Sequence, residues 1–180
     1  CKEYVSKYDN IKYIENKNNI GLTKSLNKLI KLSTGEYIAR QDADDKSNKD
    51  RLEKQYFFLI KNNLDGCSTR AKIIGSGKKI PGFSYYLPVG FVLKYKNPYI
   101  HGTLLIKNSV LKEIEYYDER FFYAQDYKLM KDLNDNNFKI SIINKTLYSL
   151  NMENNISTKY KKQQKYYADC ARKKIAPKEL

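Results

Sequence analysis

The chain has 180 residues, the length of one domain that can bury most of a core. Its 34 Lys and Arg residues outnumber 20 Asp and Glu residues, and the formal charge of +14 favours an anionic partner: a nucleotide, a nucleic acid or an acidic membrane surface. No apolar run reaches the roughly 18 residues of a membrane span and no signal peptide is visible, so we expect a cytoplasmic protein, or one held peripherally at the inner face of a membrane.

The first half of the chain alternates predicted helices and strands, which is typical of a mainly parallel sheet. Residues 1–8 are predicted to end an amphipathic helix. The elements that follow are a strand at Ile11–Ile14, a helix at about Leu22–Leu32, a strand at Glu36–Gln41 and a helix at about Lys49–Lys61. The apolar face of the helix after the Asn-rich loop is predicted to consist of Leu22, Leu26, Leu29 and Ile30. Ser47 and Asp50 form a capping-box pattern at the start of the next helix.

The second half is less regular. Its predicted elements are a strand near Cys67–Ile74, a long loop around Gly75–Gly82, a helix that ends before Asn97, a strand at His101–Ile106, a short helix at Asn108–Ile114, a helix at about Gln125–Asn136 and a strand-like segment at Phe138–Leu150. Beyond Asn155 the sequence predicts a Lys- and Tyr-rich helix without an obvious core stripe.

Three carboxylates lie directly after the predicted strand Glu36–Gln41: Asp42, Asp44 and Asp45. The C-terminal end of a strand is where open α/β sheets bind ligands. Like charges at this spacing need a cation or hydrogen-bond donors nearby, and carboxylate oxygens suit Mg²⁺ or Mn²⁺. An EF-hand is excluded because Lys46 stands where its third ligand belongs and the required glycine is missing. The alternative is a solvated Asp-rich turn that leads into a helix.

Two longer blocks place this cluster in context. One is NNIGLTKSLNKLIKLSTGEYIARQDADD, with an Asn-x-Gly, an Asn on the next helix and a strand that ends in a DxD motif. The other is IHGTLLIKNSVLKEIEYYDERFFYAQDYKLMKDLNDNNFKI. In this order they resemble the nucleotide-binding and acceptor-side halves of family-2 glycosyltransferases, and they cover most of residues 19–140. The resemblance implies an α/β, Rossmann-like GT-A fold with a mainly parallel mixed sheet flanked by helices.

The same resemblance implies a domain organisation. Residues 1–150 would form the GT-A core, and residues 151–180 a C-terminal basic helical extension. The first β-α-β unit of the family has no counterpart here, so the core is expected to be N-terminally incomplete. Such a chain should leave a sheet edge or an apolar face uncovered, and an oligomer is one consequence.

The resemblance also implies the chemistry of the donor side. Family members transfer a sugar from a nucleoside-diphosphate sugar, here expected to be a UDP-sugar, and Mn²⁺ or Mg²⁺ offsets the charge of the leaving diphosphate. Asp44 is predicted to be the main metal ligand, Asp42 to contact the metal or the ribose, and Asp45 to be a supporting charge. The positions matched to donor binding are Asn19, Gly21, Asn27, Arg40 and Asp42.

On the acceptor side, the resemblance points to Asp126 as the general base, at the start of a helix whose N-terminus favours the carboxylate form. The simpler interpretation is that Asp126 caps that helix. Gln125 stands where the family has Glu, and His101 is matched to a common family histidine that is more often structural. Asn151 and Glu153 stand where relatives often have Arg and His, and Glu153 is a further candidate metal ligand.

Three functions compete at this stage. The first is an inverting, metal-dependent glycosyltransferase that uses a saccharide or a lipid-linked saccharide as acceptor, in surface polysaccharide or lipid-linked oligosaccharide synthesis. The second is an inactive, truncated relative that acts as a binding or interaction module. The third, a nucleic-acid-binding protein, would explain the charge and the Lys-Tyr interleaving near the C-terminus. Because it leaves both sequence blocks unexplained, we expect no nucleic acid partner.

Overall fold

The computed structural model describes residues 2–153 and 159–178. The helices are α1 (Lys2–Val5), α2 (Leu22–Leu32), α3 (Arg51–Asn62), α4 (Val89–Val92), α5 (Asn108–Glu113), α6 (Gln125–Asp135) and α7 (Lys161–Lys173). The strands are β1 (Tyr37–Ala39), β2 (Lys46–Ser47), β3 (Gly66–Ile73), β4 (Lys79–Ile80), β5 (Leu105–Lys107) and β6 (Ile140–Leu150). Two 3-10 turns lie at Phe83–Tyr86 and His101–Thr103. No helix of the described chain is long and apolar enough to cross a membrane.

The strands form one mixed sheet in the order β1-β5-β3-β6-β2, with β4 beside β3. Within the described part of the chain, β3 and β6 are the one parallel pair of neighbours, and the other pairs are antiparallel. The expectation of a mainly parallel sheet is therefore wrong at the level of neighbouring strands. The reason is that β1 and β3 do run in the same direction, as their helical connection predicts, but β5 lies between them in the opposite direction. A helical crossover determines relative direction and leaves the choice of neighbours to packing.

Helices cover both faces of this sheet, which confirms the α/β expectation. The larger core contains Ile106 and Ile142 of the sheet together with residues of α2, α5, α6 and α7. A smaller core beneath α3 contains Leu105 and Ile143, which are adjacent to Ile106 and Ile142 on the same two strands. Successive strand residues point to opposite faces, so each strand contributes to both cores.

Helix α2 has the predicted bounds, but only Ile30 and, in part, Leu26 of the predicted apolar face pack against the main core. Thr23, Asn27 and Ile30 are buried, whereas the side chains of Leu22 and Leu29 are 40% and 45% exposed. Two polar contacts orient the helix: Thr23 Oγ1 donates to the carbonyl of Phe121, and Asn27 bonds both backbone groups of Tyr117. Buried polar groups need such partners, so these bonds outweigh the leucine stripe.

Apolar side chains are exposed on both α2 and α3, which pack against opposite faces of the sheet. Besides the leucines of α2, the α3 side chains of Leu52, Tyr56, Phe57 and Ile60 are 45–62% exposed. β1 is an end strand of the sheet, with β5 as its one neighbour among the described residues. The predicted strand at Ile11–Ile14 is wrong: the segment has no regular structure and pairs with no described strand. The expected uncovered edge and apolar faces are thus found.

Three local predictions change for identifiable reasons. The capping box does not form, because Ser47 lies in β2 and bonds Gln41, and α3 begins at Arg51 with Asp50 as its N-cap. His101 lies in a 3-10 turn before β5 instead of heading a strand. The basic C-terminal helix does bury a stripe, Tyr167, Cys170 and Ala171, against the main core. Residues 154–158 of the predicted extension lie outside the described residues.

Candidate active site

A cavity of about 510 Å³ opens at the C-terminal ends of β1 and β6, where the sheet topology predicts a ligand site. Its wall is formed by the loop after β1, the 3-10 turn before β5, the start of α6 and the end of β6. It brings together most of the residues singled out in the sequence: Arg40, Asp42, Asp44, His101, Gln125, Asp126 and Glu153. Asp45, Asn151 and Gln164 also line it.

The acidic loop is a hydrogen-bonded turn. The amide N–H of Asp45 donates to the carbonyl of Asp42 over 3.3 Å, and Gln41 Nε2 donates to the same carbonyl over 2.9 Å. Gln41 Nε2 also donates to the carbonyl of Asp45. This turn holds Asp42, Asp44 and Asp45 in different surroundings, so the three carboxylates have different roles.

Asp42 forms an ion pair, with 2.6 Å between its Oδ2 and Arg40 Nη1. Asp45 is half-buried, and its Oδ1 accepts the amide N–H of Asn151 over 2.7 Å. Burial raises the pKa of Asp45, the bond from Asn151 opposes that rise, and the charges of Asp42 and Asp44 add to it. Asp44 is exposed to the cavity. The carboxylate of Asp44 is therefore the one most available to a ligand, and Asp45 links the acidic loop to the end of β6.

Arg51 is buried and links two segments of the site, whereas the sequence predicts only that it lies in a helix. Its Nη2 donates to the carbonyl of Arg40 over 3.0 Å and its Nη1 to the carbonyl of Gly102 over 3.3 Å. The guanidinium lies over the ring of Tyr148, with 5.4 Å to the centroid. Burial lowers the pKa of Arg51. Arg51 thus joins the acidic loop to the turn that carries His101, and no sequence signal distinguishes it from a solvated helix residue.

Gly102 has no side chain, and this allows Tyr148 and Asp42 to lie close to its backbone. A Cβ at this position would lie 2.5 Å from Tyr148 Oη and 2.9 Å from Asp42 Oδ2. Tyr148 Oη also lies 3.2 Å from the amide nitrogen of Asp42, which donates to it. Only glycine leaves room for both contacts. Its position after His101 is the one sequence cue that could have identified it.

His101 is paired with Tyr117, and 2.7 Å separates its Nε2 from the phenol oxygen. Burial, with a smaller effect from the charge of Arg40, lowers the pKa of His101 well below its ordinary value. Burial also raises the pKa of Tyr117. Both side chains are therefore neutral at pH 7. This makes His101 a polar wall residue of the cavity and not a source of charge.

Asp126 lies in the first turn of α6, as predicted. Its Oδ2 accepts a hydrogen bond from Asn97 Nδ2 over 2.9 Å. The N-cap of α6 is Ala124, which has no side-chain capping bond, and its amide N–H donates to Gln164 Oε1 of α7. The carboxylate of Asp126 thus bonds a side chain across the cavity wall and does not cap the helix. Gln164 is a cavity residue that sequence reasoning did not identify.

Three of the predicted donor-binding residues do not line this cavity. Asn19 Oδ1 accepts a hydrogen bond from the amide N–H of Gly21 over 3.0 Å. Gly21 is the N-cap of α2 and has a φ of 80°. The next residue, Leu22, does line the cavity. Asn27 is buried and binds Tyr117 and Glu119, which ties α2 to the loop before α6. The described contacts of Asn27 are therefore structural.

The carboxylates that line the cavity are the groups able to bind a divalent cation. Among the described residues, no group of three or more His, Cys, Asp and Glu is placed to hold a metal ion. Asp44 and Glu153 are nevertheless exposed carboxylates on the same cavity, and Asp42 is beside them. Mg²⁺ usually takes one or two protein carboxylates and completes its shell with water and substrate phosphates. The residues therefore fit a cation shared with a diphosphate, and not a site made of protein ligands alone.

Comparison with known proteins agrees with this architecture. The model of the family described as Glycosyl transferase family 2 matches residues 1–132. An uncharacterized glycosyltransferase of Methanocaldococcus jannaschii is 30% identical over an alignment of 175 residues that covers 92% of this chain and 59% of that protein. The O-antigen biosynthesis glycosyltransferase WbnJ of Escherichia coli is 35% identical over an alignment of 95 residues that covers 51% of this chain and 37% of that protein.

The fold matches a solved structure. The crystal structure of residues 1–349 of S. aureus TarS in complex with UDP-GlcNAc superposes with a TM-score of 0.71 at 21% identity, and covers 88% of this chain and 48% of that one. This likeness confirms the expected GT-A fold. The chain spans about 59% of the archaeal relative and about half of the TarS chain. Because the family model covers most of the chain, the chain belongs to glycosyl transferase family 2.

Proposed function

We propose that this chain carries the catalytic site of a glycosyltransferase that moves a sugar from a UDP-sugar to a hydroxyl group. The observation that supports this most is the single cavity lined by both the Asp42–Asp44 loop and Asp126. One end of such a site offers carboxylates suited to a cation-diphosphate pair, and the other offers a base. The crystal complex of TarS with UDP-GlcNAc and the O-antigen role in the name of WbnJ support the donor class and a role in surface polysaccharide or lipid-linked oligosaccharide synthesis.

On the acceptor side, Asp126 would take the proton of the attacking hydroxyl. Its Oδ2 is engaged by Asn97, so Oδ1 is the atom we assign to the proton. Asp126 lies in the first turn of α6, close to the positive end of the helix. A single displacement of this kind inverts the anomeric centre, because the hydroxyl attacks opposite the leaving diphosphate.

On the donor side, Arg40 and the acidic loop would position the diphosphate. Asp44 with Asp42, and Glu153 as a further ligand, would hold Mn²⁺ or Mg²⁺, which supplies Lewis-acid stabilisation of the leaving diphosphate when bound. Arg40 has a further donor for an anion, since its buried Nε has no hydrogen-bond partner among the described residues. Gln125 lines the cavity beside Asp126, where its amide can bond an acceptor hydroxyl.

The test is calorimetric titration of the protein with UDP in the presence of Mn²⁺, followed by transfer assays with a panel of UDP-sugars. We expect saturable UDP binding that Asp44→Asn weakens, and Lys46→Gln, at the start of β2 directly after the loop, serves as a control. Absence of UDP binding by the wild-type protein would contradict the proposal.

A second function is favoured by one observation. The apolar side chains of α2 and α3 are uncovered and β1 is a sheet end, which suits an interaction module that has lost catalysis. Absence of both UDP binding and transfer would support this second function.

A further inference from the structure

The loop before α6 has a left-handed residue at the point where the helix begins. Ala124 is the N-cap of α6, with φ of 52° and ψ of 24°, and it is buried. The left-handed region is unfavourable for residues other than glycine, because Cβ lies too close to the following carbonyl oxygen. Such a conformation persists only where contacts from the surrounding structure hold it.

One of these contacts comes from the C-terminal helix. Near the start of α7, Gln164 Oε1 accepts a hydrogen bond from the amide N–H of Ala124 over 3.0 Å, across 40 positions of sequence. The amide N–H groups at the start of a helix have no partner within that helix. A buried N–H without an acceptor is unfavourable, so Gln164 stabilises the conformation in which the Ala124 amide points at α7.

Aromatic contacts fix the position of α7 relative to this loop. Tyr167 lies about one turn beyond Gln164 and is buried. Its ring packs edge to face against Phe121, with 6.0 Å between centroids, and against Tyr123, with 5.5 Å. Both rings belong to the loop that ends at Ala124. The acceptor oxygen of Gln164 is therefore carried by a helix that is packed against the same loop.

The two residues that follow Ala124 both face the candidate active site. Gln125 and Asp126 are the first residues of α6, and both line the cavity together with Gln164. Asp126 Oδ2 accepts the hydrogen bond from Asn97. Because backbone dihedrals set the direction of the chain that follows, a change of φ at Ala124 would turn the first residues of α6 and move Asp126 away from Asn97.

We infer that Gln164 is a positioning residue for the proposed general base. It acts through Ala124: its acceptor oxygen holds the left-handed N-cap, and the N-cap directs Asp126 towards the cavity and Asn97. The inference rests on the proposed function for the role of Asp126. It adds to the site a residue of α7, which lies beyond residues 1–132 that the family model matches.

The experiment compares Gln164→Met with Gln164→Glu and Gln163→Met. Methionine keeps the length of the side chain but replaces the strong oxygen acceptor by a weak thioether, whereas glutamate keeps an oxygen. Gln163 is the neighbour of Gln164 on α7 and is not a lining residue of the cavity, so the same substitution there is the matched control. Proton–nitrogen NMR spectra without nucleotide report both hydrogen bonds, through the backbone amide of Ala124 and the side-chain amide of Asn97.

In Gln164→Met, we expect the Ala124 amide proton to exchange with solvent about tenfold faster and the Asn97 side-chain amide protons to move upfield, because both hydrogen bonds weaken. Gln164→Glu and Gln163→Met should leave both signals close to those of the wild type. An unchanged Asn97 signal in Gln164→Met would overturn the inference. Equally accelerated exchange at Leu133, which is fully buried in the main core, would also overturn it, because the substitution would then destabilise the whole fold.

The kinetic arm measures hydrolysis of a panel of UDP-sugars, with water as the acceptor, and UDP affinity by calorimetry. We expect Gln164→Met to lower turnover about tenfold and to leave UDP affinity unchanged, since Asp126 is assigned to the acceptor. A parallel loss of UDP affinity would contradict a role limited to the base. Absence of UDP binding by the wild-type protein would refute the proposed function, and the NMR signals would still decide whether Gln164 orients Asp126.

Discussion

The sharpest test of the candidate site is Asp126→Asn. The substitution keeps the volume of the side chain, and the new amide oxygen can still accept the hydrogen bond from Asn97 Nδ2 that now reaches Asp126 Oδ2 over 2.9 Å. We therefore expect the free energy of unfolding to change by no more than about 1 kcal/mol. Because an amide cannot accept the proton of the acceptor, turnover should fall by about 10²- to 10⁴-fold. That loss is equivalent to about 3–5 kcal/mol of transition-state stabilisation.

The assay measures transfer of radiolabelled sugar from UDP-sugar at saturating donor, with UDP affinity determined by calorimetry on the same preparations. UDP affinity should stay unchanged, since Asp126 is assigned to the acceptor. Asp132→Asn is the matched control: it is on the same helix, and its carboxylate pairs with Lys128. Asn97→Ala leaves the carboxylate of Asp126 in place but removes the hydrogen bond that orients it, so we expect turnover to fall by only about tenfold. Transfer by Asp126→Asn within about threefold of wild type would show that Asp126 is not the base.

Four further predictions concern the metal, Arg51, Gly102 and the uncovered surface. Mn²⁺ should raise the melting temperature in the presence of UDP by mass action on the folded state, and Asp44→Asn should abolish the rise; an unchanged rise would remove the metal assignment. Arg51→Met should lower the free energy of unfolding in urea by about 2–4 kcal/mol, because two backbone carbonyls lose a buried donor, whereas Lys61→Met, at an exposed position of α3, should have little effect. Gly102→Ala should weaken UDP binding, and adding Tyr148→Phe should restore part of it by removing the nearer clash; no rescue would refute the steric account. The chain should self-associate through α2, α3 and the β1 edge, so sedimentation should show dissociation on Leu29→Lys with Phe57→Lys, and a stable wild-type monomer would contradict this.

Local sequence patterns were sufficient for several parts of this protein. The periodicity of α2 and α6 predicted their bounds, and the apolar run before Asp42 predicted β1. Strand, acidic cluster and helix in that order predicted that Asp42 and Asp44 lie at the ligand-binding end of the sheet. The resemblance carried by two sequence blocks added Asp126, and the fold brings it to the same cavity. The helices, the strand and the acidic turn depend on residues close together in the chain, where periodicity and turn chemistry act directly, whereas Asp126 was identified only through the resemblance.

Other features were decided only by tertiary structure. The sequence does not show that β5 separates β1 from β3, that Leu22 and Leu29 of α2 are exposed, or that α7 buries a stripe against the main core. Nor does it show that Arg51 is buried between two carbonyls and Tyr148, or that Gly102 makes room for Asp42. Each of these depends on contacts between residues far apart in the chain. Strand neighbours and helix faces are chosen by which buried polar groups find partners and which apolar surfaces meet, and a local pattern contains neither.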